Sequence, residues 1–253
     1  LPTAFLTAQF ALFQNGGLQP GERVLIHAAA GGVGMAAVQL ALAAGAEVFG
    51  TAGSDAKRAH LRALGVKAAL DSRRTAFADE IAALTDGRGV DVVLNSLAGE
   101  FIPKSMAVLA PGGRFLEIGK RDILTPEAAR RLRPDVRYHA IDLAGTSLTE
   151  PELIQSLLQD IVQRIARGGL QPLPWQSFGL SQAAAALAAL GWAPVLAPAL
   201  VLRSLAPGRL PGAQALLLAS RAAGRALKPA ALPVLAVGAG TAAEARARGF
   251  SDV

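Results

Sequence analysis

The stretch from Arg23 to Met35, RVLIHAAAGGVGM, constrains the chain more than any other, because an apolar strand, a glycine turn and an amphipathic helix follow one another without a break. A backbone that packs against a pyrophosphate carries no side chains at the closest points. The free N–H groups that open the next helix offer donors and positive dipole to the anion. The spacing Ala29-x-Gly31-x-x-Gly34 puts alanine where the dinucleotide fingerprint has its first glycine. Read as chemistry, Ala29, Gly31, Gly32, Val33 and Gly34 form a phosphate cradle. Read as packing, an Ala/Gly-rich turn also lets a helix approach a strand closely.

A second apolar strand, residues 47–51, follows at the distance of a βαβ unit and runs into Ala52-Gly53-Ser54-Asp55-Ala56-Lys57-Arg58. An NAD site places an acidic side chain near here for the ribose 2′-hydroxyl, whereas a 2′-phosphate wants hydroxyl and cationic donors. Ser54, Lys57 and Arg58 therefore favour NADP, with Asp55 as a minor contrary sign. The alternative makes Ser54 a helix cap and the two cations a solvated face, and both readings can hold together.

With 253 residues, 52% hydrophobic and 17% charged, the chain reads as a soluble globular protein of one or two domains. No membrane-spanning run and no secretory signal is read from it, so a cytoplasmic location is expected. The absence of cysteine excludes disulfides, thiolate zinc and a cysteine nucleophile. His27, His60 and His139 show no metal-ligand spacing, so no metal is expected and each reads as a packed or surface residue. The net charge of +6 resolves into +5 over residues 191–253 and +1 over the first 190. The basic residues of the tail are scattered among alanine and leucine without aromatic interleaving, which describes a solvated surface and not a nucleic-acid footprint.

Strand and helix patterns alternate from the glycine turn onward, which predicts an α/β fold with a doubly wound parallel (Rossmann) sheet. Strands are expected at 24–28, 47–51, 68–70, 91–95, 114–118 and 136–141, and helices at 32–44, 55–64, 77–84, 101–109, 152–166 and 181–190, after an opening helix at 4–13. Pro111-Gly112-Gly113 reads as a turn before the fifth strand. Near residue 190 the pattern changes to proline-punctuated short strands at 195–196, 200–202, 215–219 and 234–237, with helices near 221–227 and 241–248. The expected domains are therefore 1–190 and a smaller α/β segment, 191–253.

Four segments carry a family resemblance: TAQFAL at 7–12, residues 24–39, GVDVVLNSLAGE at 89–100 and GGRFLEIGK at 112–120. Together, over roughly residues 1–190, they resemble the enoylreductase domains of modular polyketide synthases and animal fatty acid synthase, in the zinc-less branch of the medium-chain dehydrogenase/reductases. The resemblance implies hydride transfer from NADPH to the β-carbon of an α,β-unsaturated acyl thioester held on an acyl carrier protein. It matches Lys120 to a proposed proton donor and Asp142 to the aspartate beside it. Arg73 matches a position near the adenosine phosphate, and Asn95 and Leu97 match the segment beside the nicotinamide. Such chemistry needs a cation or donor near the thioester carbonyl and a proton source at the α-carbon. For Lys120 the bland alternative is a solvated side chain paired with Asp122.

Full members of that family begin with a separate substrate-binding domain and close with a segment returning to it. Neither pattern is read in this chain. The tail, at 188–198 and 233–253, instead resembles part of uroporphyrinogen-III synthase, with no activity expected of it. Two other readings stay open: a zinc-independent NADPH quinone reductase, and a non-catalytic nucleotide-binding module.

Overall fold

The computed structural model describes residues 2–174, 182, 216–218, 234–236, 243, 245–247 and 249–250. The chain divides into two compact units, Leu1–Trp175 and Gln176–Val253. The first unit holds a six-stranded sheet whose strands are β1 (Arg23–Ile26), β2 (Glu47–Ala52), β3 (Ala68–Asp71), β4 (Val90–Asn95), β5 (Leu109–Glu117) and β6 (Arg137–Ala140). They lie in the order β3-β2-β1-β4-β5-β6, and every neighbouring pair is parallel. The expected doubly wound sheet is therefore present, and its order reverses between β1 and β4, the switch point where such sheets bind ligands.

Period-2 alternation sends neighbouring side chains to opposite faces. Ile26, Val48, Leu94 and Leu116 join one core with the helices α1 (Pro2–Gln9), α2 (Gly32–Ala43) and α8 (Pro151–Ala166). Leu25, Phe49, Val93 and Phe115 join the other, under α4 (Phe77–Leu84) and α5 (Phe101–Ala107). Phe49 and Phe115 are fully buried, and burying a side chain of that size stabilises the fold by about 2–3 kcal/mol. The helix α3 (Asp55–Ala63) contributes a single fully buried side chain, Leu61.

Four expectations are corrected in detail. The opening helix is α1 followed by a π-helical turn, Phe10–Asn15, which Arg114 locks to the sheet by donating from Nε to the Gly16 carbonyl at 2.7 Å and pairing with Glu22. Pro111-Gly112-Gly113 lies inside β5, at a register shift between Val90 and Val92, and does not precede the strand. The reason is that Leu109 already pairs with Val90, so α5 drops straight into the sheet. Two short helices, α6 (Pro126–Leu132) and α7 (Leu143–Thr149), were not read from the pattern. Each is declared by its cap: Thr125 and Asp142 accept from the N–H groups of Ala128 and Gly145. Finally, β1 stops at Ile26 because Ala28 turns the chain to a φ of 47°.

In the second unit, β7 (Leu216–Leu218) and β8 (Val234–Ala236) fall within the strands expected at 215–219 and 234–237, and they pair in parallel. Ala243 and Ala245 to Ala247 are helical, within the expected 241–248. The strands expected at 195–196 and 200–202 and the helix at 221–227 lie outside the described residues, as does all of the helix at 181–190 except residue 182.

Candidate cofactor and reduction site

The turn leaving β1 is built by tertiary contacts. The N–H of Ala29 donates to the Thr51 carbonyl at 2.8 Å, and that of Ala28 to Thr51 Oγ1 at 3.3 Å. These bonds hold Ala28 in the left-handed region, which costs a residue with a Cβ about 1–2 kcal/mol. Beneath them His27 is buried with both ring nitrogens engaged, Nδ1 with Thr51 Oγ1 at 3.1 Å and Nε2 with Ser105 Oγ at 2.7 Å. Burial pushes the imidazole down to about 3, so it is neutral at physiological pH. The sequence reads His27 as a packed or surface residue, and it is packed; its partners are not legible there, because no spacing relates His27 to Thr51 or Ser105.

After the turn, Gly31 caps α2 and its N–H donates to the Ala28 carbonyl at 2.8 Å. The N–H groups of Gly32, Val33 and Gly34 have no acceptor within their own helix and open it toward the carboxyl edge of the sheet. A Cβ on Gly34 would stand 2.3 Å from the Ala28 carbonyl oxygen and 2.6 Å from Ala29 Cα, so only glycine lets the helix sit this close to the turn. Nothing lies within 4 Å of a Cβ built on Gly32, and both Gly31 and Gly32 are exposed. The cradle thus presents bare backbone and the positive end of a twelve-residue helix to the crevice. These features fit a dinucleotide pyrophosphate, with Ala29 buried where the first glycine is usual.

At the end of β2 both sequence readings of Ser54 and its neighbours meet. Ser54 Oγ accepts from the Lys57 N–H at 3.4 Å as the cap of α3. Arg58 is not a free cation: it donates to the Ala52 carbonyl at 2.9 Å and pairs with Asp55 at 2.6 Å and Asp71 at 3.6 Å. Lys57 and Arg73 are exposed and, among the described residues, enter no ion pair. The Arg73 side chain reaches back over the turn, its Nε 3.3 Å from a Cβ built on Gly53. Asp71 positions it by accepting the Arg73 N–H at 2.9 Å. The fold therefore brings Arg73, which follows β3, to the turn after β2 that carries Ser54 and Lys57.

On the other side of the switch point, Asn95 is fully buried at the end of β4. Its Nδ2 donates to the Leu97 carbonyl at 2.8 Å and its Oδ1 accepts the Leu97 N–H at 3.2 Å. Lys120 lies three residues beyond β5 and Asp142 two beyond β6, so both stand past the carboxyl ends of adjacent strands. Both are exposed. The structure does not join them: no ion pair within 4.0 Å links the two, and Asp142 Oδ1 instead accepts the Gly145 N–H at 3.0 Å. Nor is Lys120 paired with Asp122, whose Oδ2 accepts the Gly99 N–H at 3.0 Å.

Comparison with known proteins places this site in a family. Residues 32–163 match the family model described as zinc-binding dehydrogenase. The chain is 51% identical over 183 residues to a phenolphthiocerol/phthiocerol polyketide synthase of Mycobacterium tuberculosis, a match covering 72% of this chain and 8% of that protein. It therefore spans under a tenth of that relative's length. The CurK enoyl reductase crystal structure is 50% identical with a TM-score of 0.71, over 76% of this chain and 57% of that one. The nucleotide-binding subdomain of the enoylreductase domain of PpsC from Mycobacterium tuberculosis is 50% identical with a TM-score of 0.62, over 68% of this chain and 97% of that one. The likeness of the tail to uroporphyrinogen-III synthase finds no support in these comparisons.

The zinc in the family's description does not fit the residues present. The chain has no cysteine, and among the described residues no group of three or more His, Asp or Glu side chains is placed to hold a metal ion. A six-stranded sheet in this order, a glycine cradle at its switch point and half-identity over nearly the whole of a solved subdomain agree: the chain belongs to the zinc-binding dehydrogenase family, and within it to the enoylreductase domains of polyketide synthases.

Proposed function

We propose that the chain binds NADPH across the β1/β4 switch point and serves the reduction of an α,β-unsaturated acyl thioester carried by an acyl carrier protein. The observation that carries the cofactor half of this reading is the cradle: three helix N–H groups open toward the crevice, and Gly34 has no room for a Cβ. Anions are favoured there by donors and dipole together. The choice of NADPH over NADH rests on Ser54, Lys57 and Arg73 around the turn after β2, where the Arg73 side chain reaches over Gly53 and neither cation enters an ion pair among the described residues. Asn95 and Leu97 form the edge beside the nicotinamide.

The bound dinucleotide supplies a hydride to the β-carbon. The chain's own residues handle the charge and the proton that follow. The Lys120 ammonium stabilises negative charge on the thioester enolate and then gives a proton to the α-carbon. Asp142 keeps one carboxylate oxygen on the Gly145 N–H, and its other, Oδ2, is the acceptor for Lys120 when substrate brings the two strand exits together.

Fluorescence titration of the purified chain with NADPH and NADH tests the reading. NADPH is expected to bind at least about tenfold more tightly, as one charge-assisted phosphate contact supplies, and Arg73→Ala is expected to remove about that factor while leaving NADH unchanged. Equal affinity for the two removes the assigned role of Ser54, Lys57 and Arg73. Folded protein that ignores both at millimolar concentration overturns the cofactor itself.

A further inference from the structure

Glu117 closes β5 with 1% of its surface exposed, yet among the described residues it enters no ion pair. Its two oxygens are taken by neutral donors: Oε2 accepts from Asn95 Nδ2 at 2.6 Å, and Oε1 from the Gly119 N–H at 2.6 Å. A buried ionisable side chain without a counter-charge is less stabilising than an apolar residue of its size, so packing does not account for it. The two donors belong to different strand exits. Asn95 ends β4 and brackets Leu97 with both atoms of its amide, while Gly119 follows β5 and directly precedes Lys120. A Cβ on Gly119 would stand 2.6 Å from Glu117 Oε1, so the same contact also explains why glycine occupies that position.

We propose that Glu117 is a positioning residue whose carboxylate clamps the exit of β4 to the exit of β5, and so holds the Asn95–Leu97 edge in register with Lys120. The inference rests on the cofactor reading above, which assigns that edge to the nicotinamide. The main-chain bond from the Ile118 N–H to the Asn95 carbonyl, 2.9 Å, runs beside the clamp and keeps the strands paired without it. Loss of the carboxylate therefore loosens the two exits and leaves the sheet intact.

Two variants break the clamp from opposite sides. Glu117→Gln sets an amide NH2 against one of two N–H donors, and Gly119→Ala drives Oε1 off the Gly119 N–H by displacing only the end of a side chain. Each is titrated with NADPH, and separately with 2′,5′-ADP, which carries the adenosine and the 2′-phosphate but no nicotinamide. Both variants are expected to bind NADPH about tenfold more weakly and 2′,5′-ADP within about twofold of the parent, in protein that still unfolds cooperatively with a modestly lowered melting temperature. Equal weakening of both ligands would show a merely structural role, and unchanged NADPH affinity in both variants overturns the clamp. Should Glu117→Gln fail to fold, Gly119→Ala decides alone. If the parent chain binds neither ligand, the cofactor reading falls first and the clamp with it; if it binds 2′,5′-ADP as tightly as NADPH, the clamp alone falls.

Discussion

The two ends of the crevice are made in different ways. At the phosphate end the groups that matter are main-chain N–H donors, held by a glycine with no room for a Cβ and by bonds from Thr51 and the buried His27. At the end proposed for reduction stand two exposed side chains, Lys120 and Asp142, that follow adjacent strands and form no ion pair with each other. The first end is fixed by main-chain contacts around Ala28, Ala29 and Gly34. In the proposed reading the second carries its chemical groups on strand exits joined by Glu117 and Asn95, and their approach to each other is left to the substrate. In the proposed reading, cofactor binding and thioester chemistry are thus specified at different levels of the structure, and variants at the two ends are expected to behave differently.

The largest effect is expected at the rigid end. Gly34→Ala forces a methyl group against main-chain atoms of Ala28 and Ala29, which cannot yield as a side chain does. It should cost about 3 kcal/mol or more of stability and abolish NADPH binding, as read by melting and by fluorescence. A variant that melts and binds like the parent would break the contrast between the two ends.

Lys120→Ala sharpens it from the other side. Because the side chain is exposed and enters no ion pair among the described residues, melting and NADPH affinity should stay as they are, while turnover of a crotonyl thioester falls about 100-fold, the usual loss for a general acid. Undiminished turnover with the thioester would remove Lys120 from the reaction. Reduction of quinones that is indifferent to Lys120 would turn the reading toward a quinone reductase.

The smallest effect concerns the support under the cradle. The folded imidazole of His27 titrates at about 3, below its ordinary 6.5, so between those values the unfolded chain binds the extra proton. The stability held by the neutral ring is full above pH 6.5 and is lost as pH falls toward 3, by up to about 1.4 kcal/mol per pH unit. Glu117 runs the other way. Burial raises its carboxyl, so its share of stability falls as pH rises past the ordinary carboxylate range. Urea unfolding between about pH 7 and about pH 5 should show a decline on acidification that His27→Gln flattens. An unchanged slope in that variant would mean that His27 is not the titrating support.

Much of the first unit was legible because local and global signals agree in it. The alternation of strand and helix patterns predicted the sheet, and Gly31, Gly32 and Gly34 marked the cradle, since close backbone approach can be met by few residue types. Ser54 was legible both as a cap and as a phosphate neighbour, and the structure gives it the first role while leaving room for the second. Arg58 looked in sequence like a companion of Lys57, but its charge is spent on Asp55 and Asp71. Short α6 and α7 escaped because seven residues hold too little periodicity to stand out, and only their caps announce them.

By itself, then, the amino-acid order determined the fold class, the glycine cradle and the family, since each depends on residue types at short, fixed separations. Tertiary structure decided which polar groups support the cradle, which cations enter ion pairs among the described residues, and how Lys120 and Asp142 stand to each other. His27 with Thr51 and with Ser105 of α5, Arg73 over Gly53, and Glu117 between Asn95 and Gly119 all join residues near strand ends to groups on other elements or turns. In a parallel sheet, side chains that share a crevice come from strands separated by whole helices, and no spacing along the chain encodes their distance.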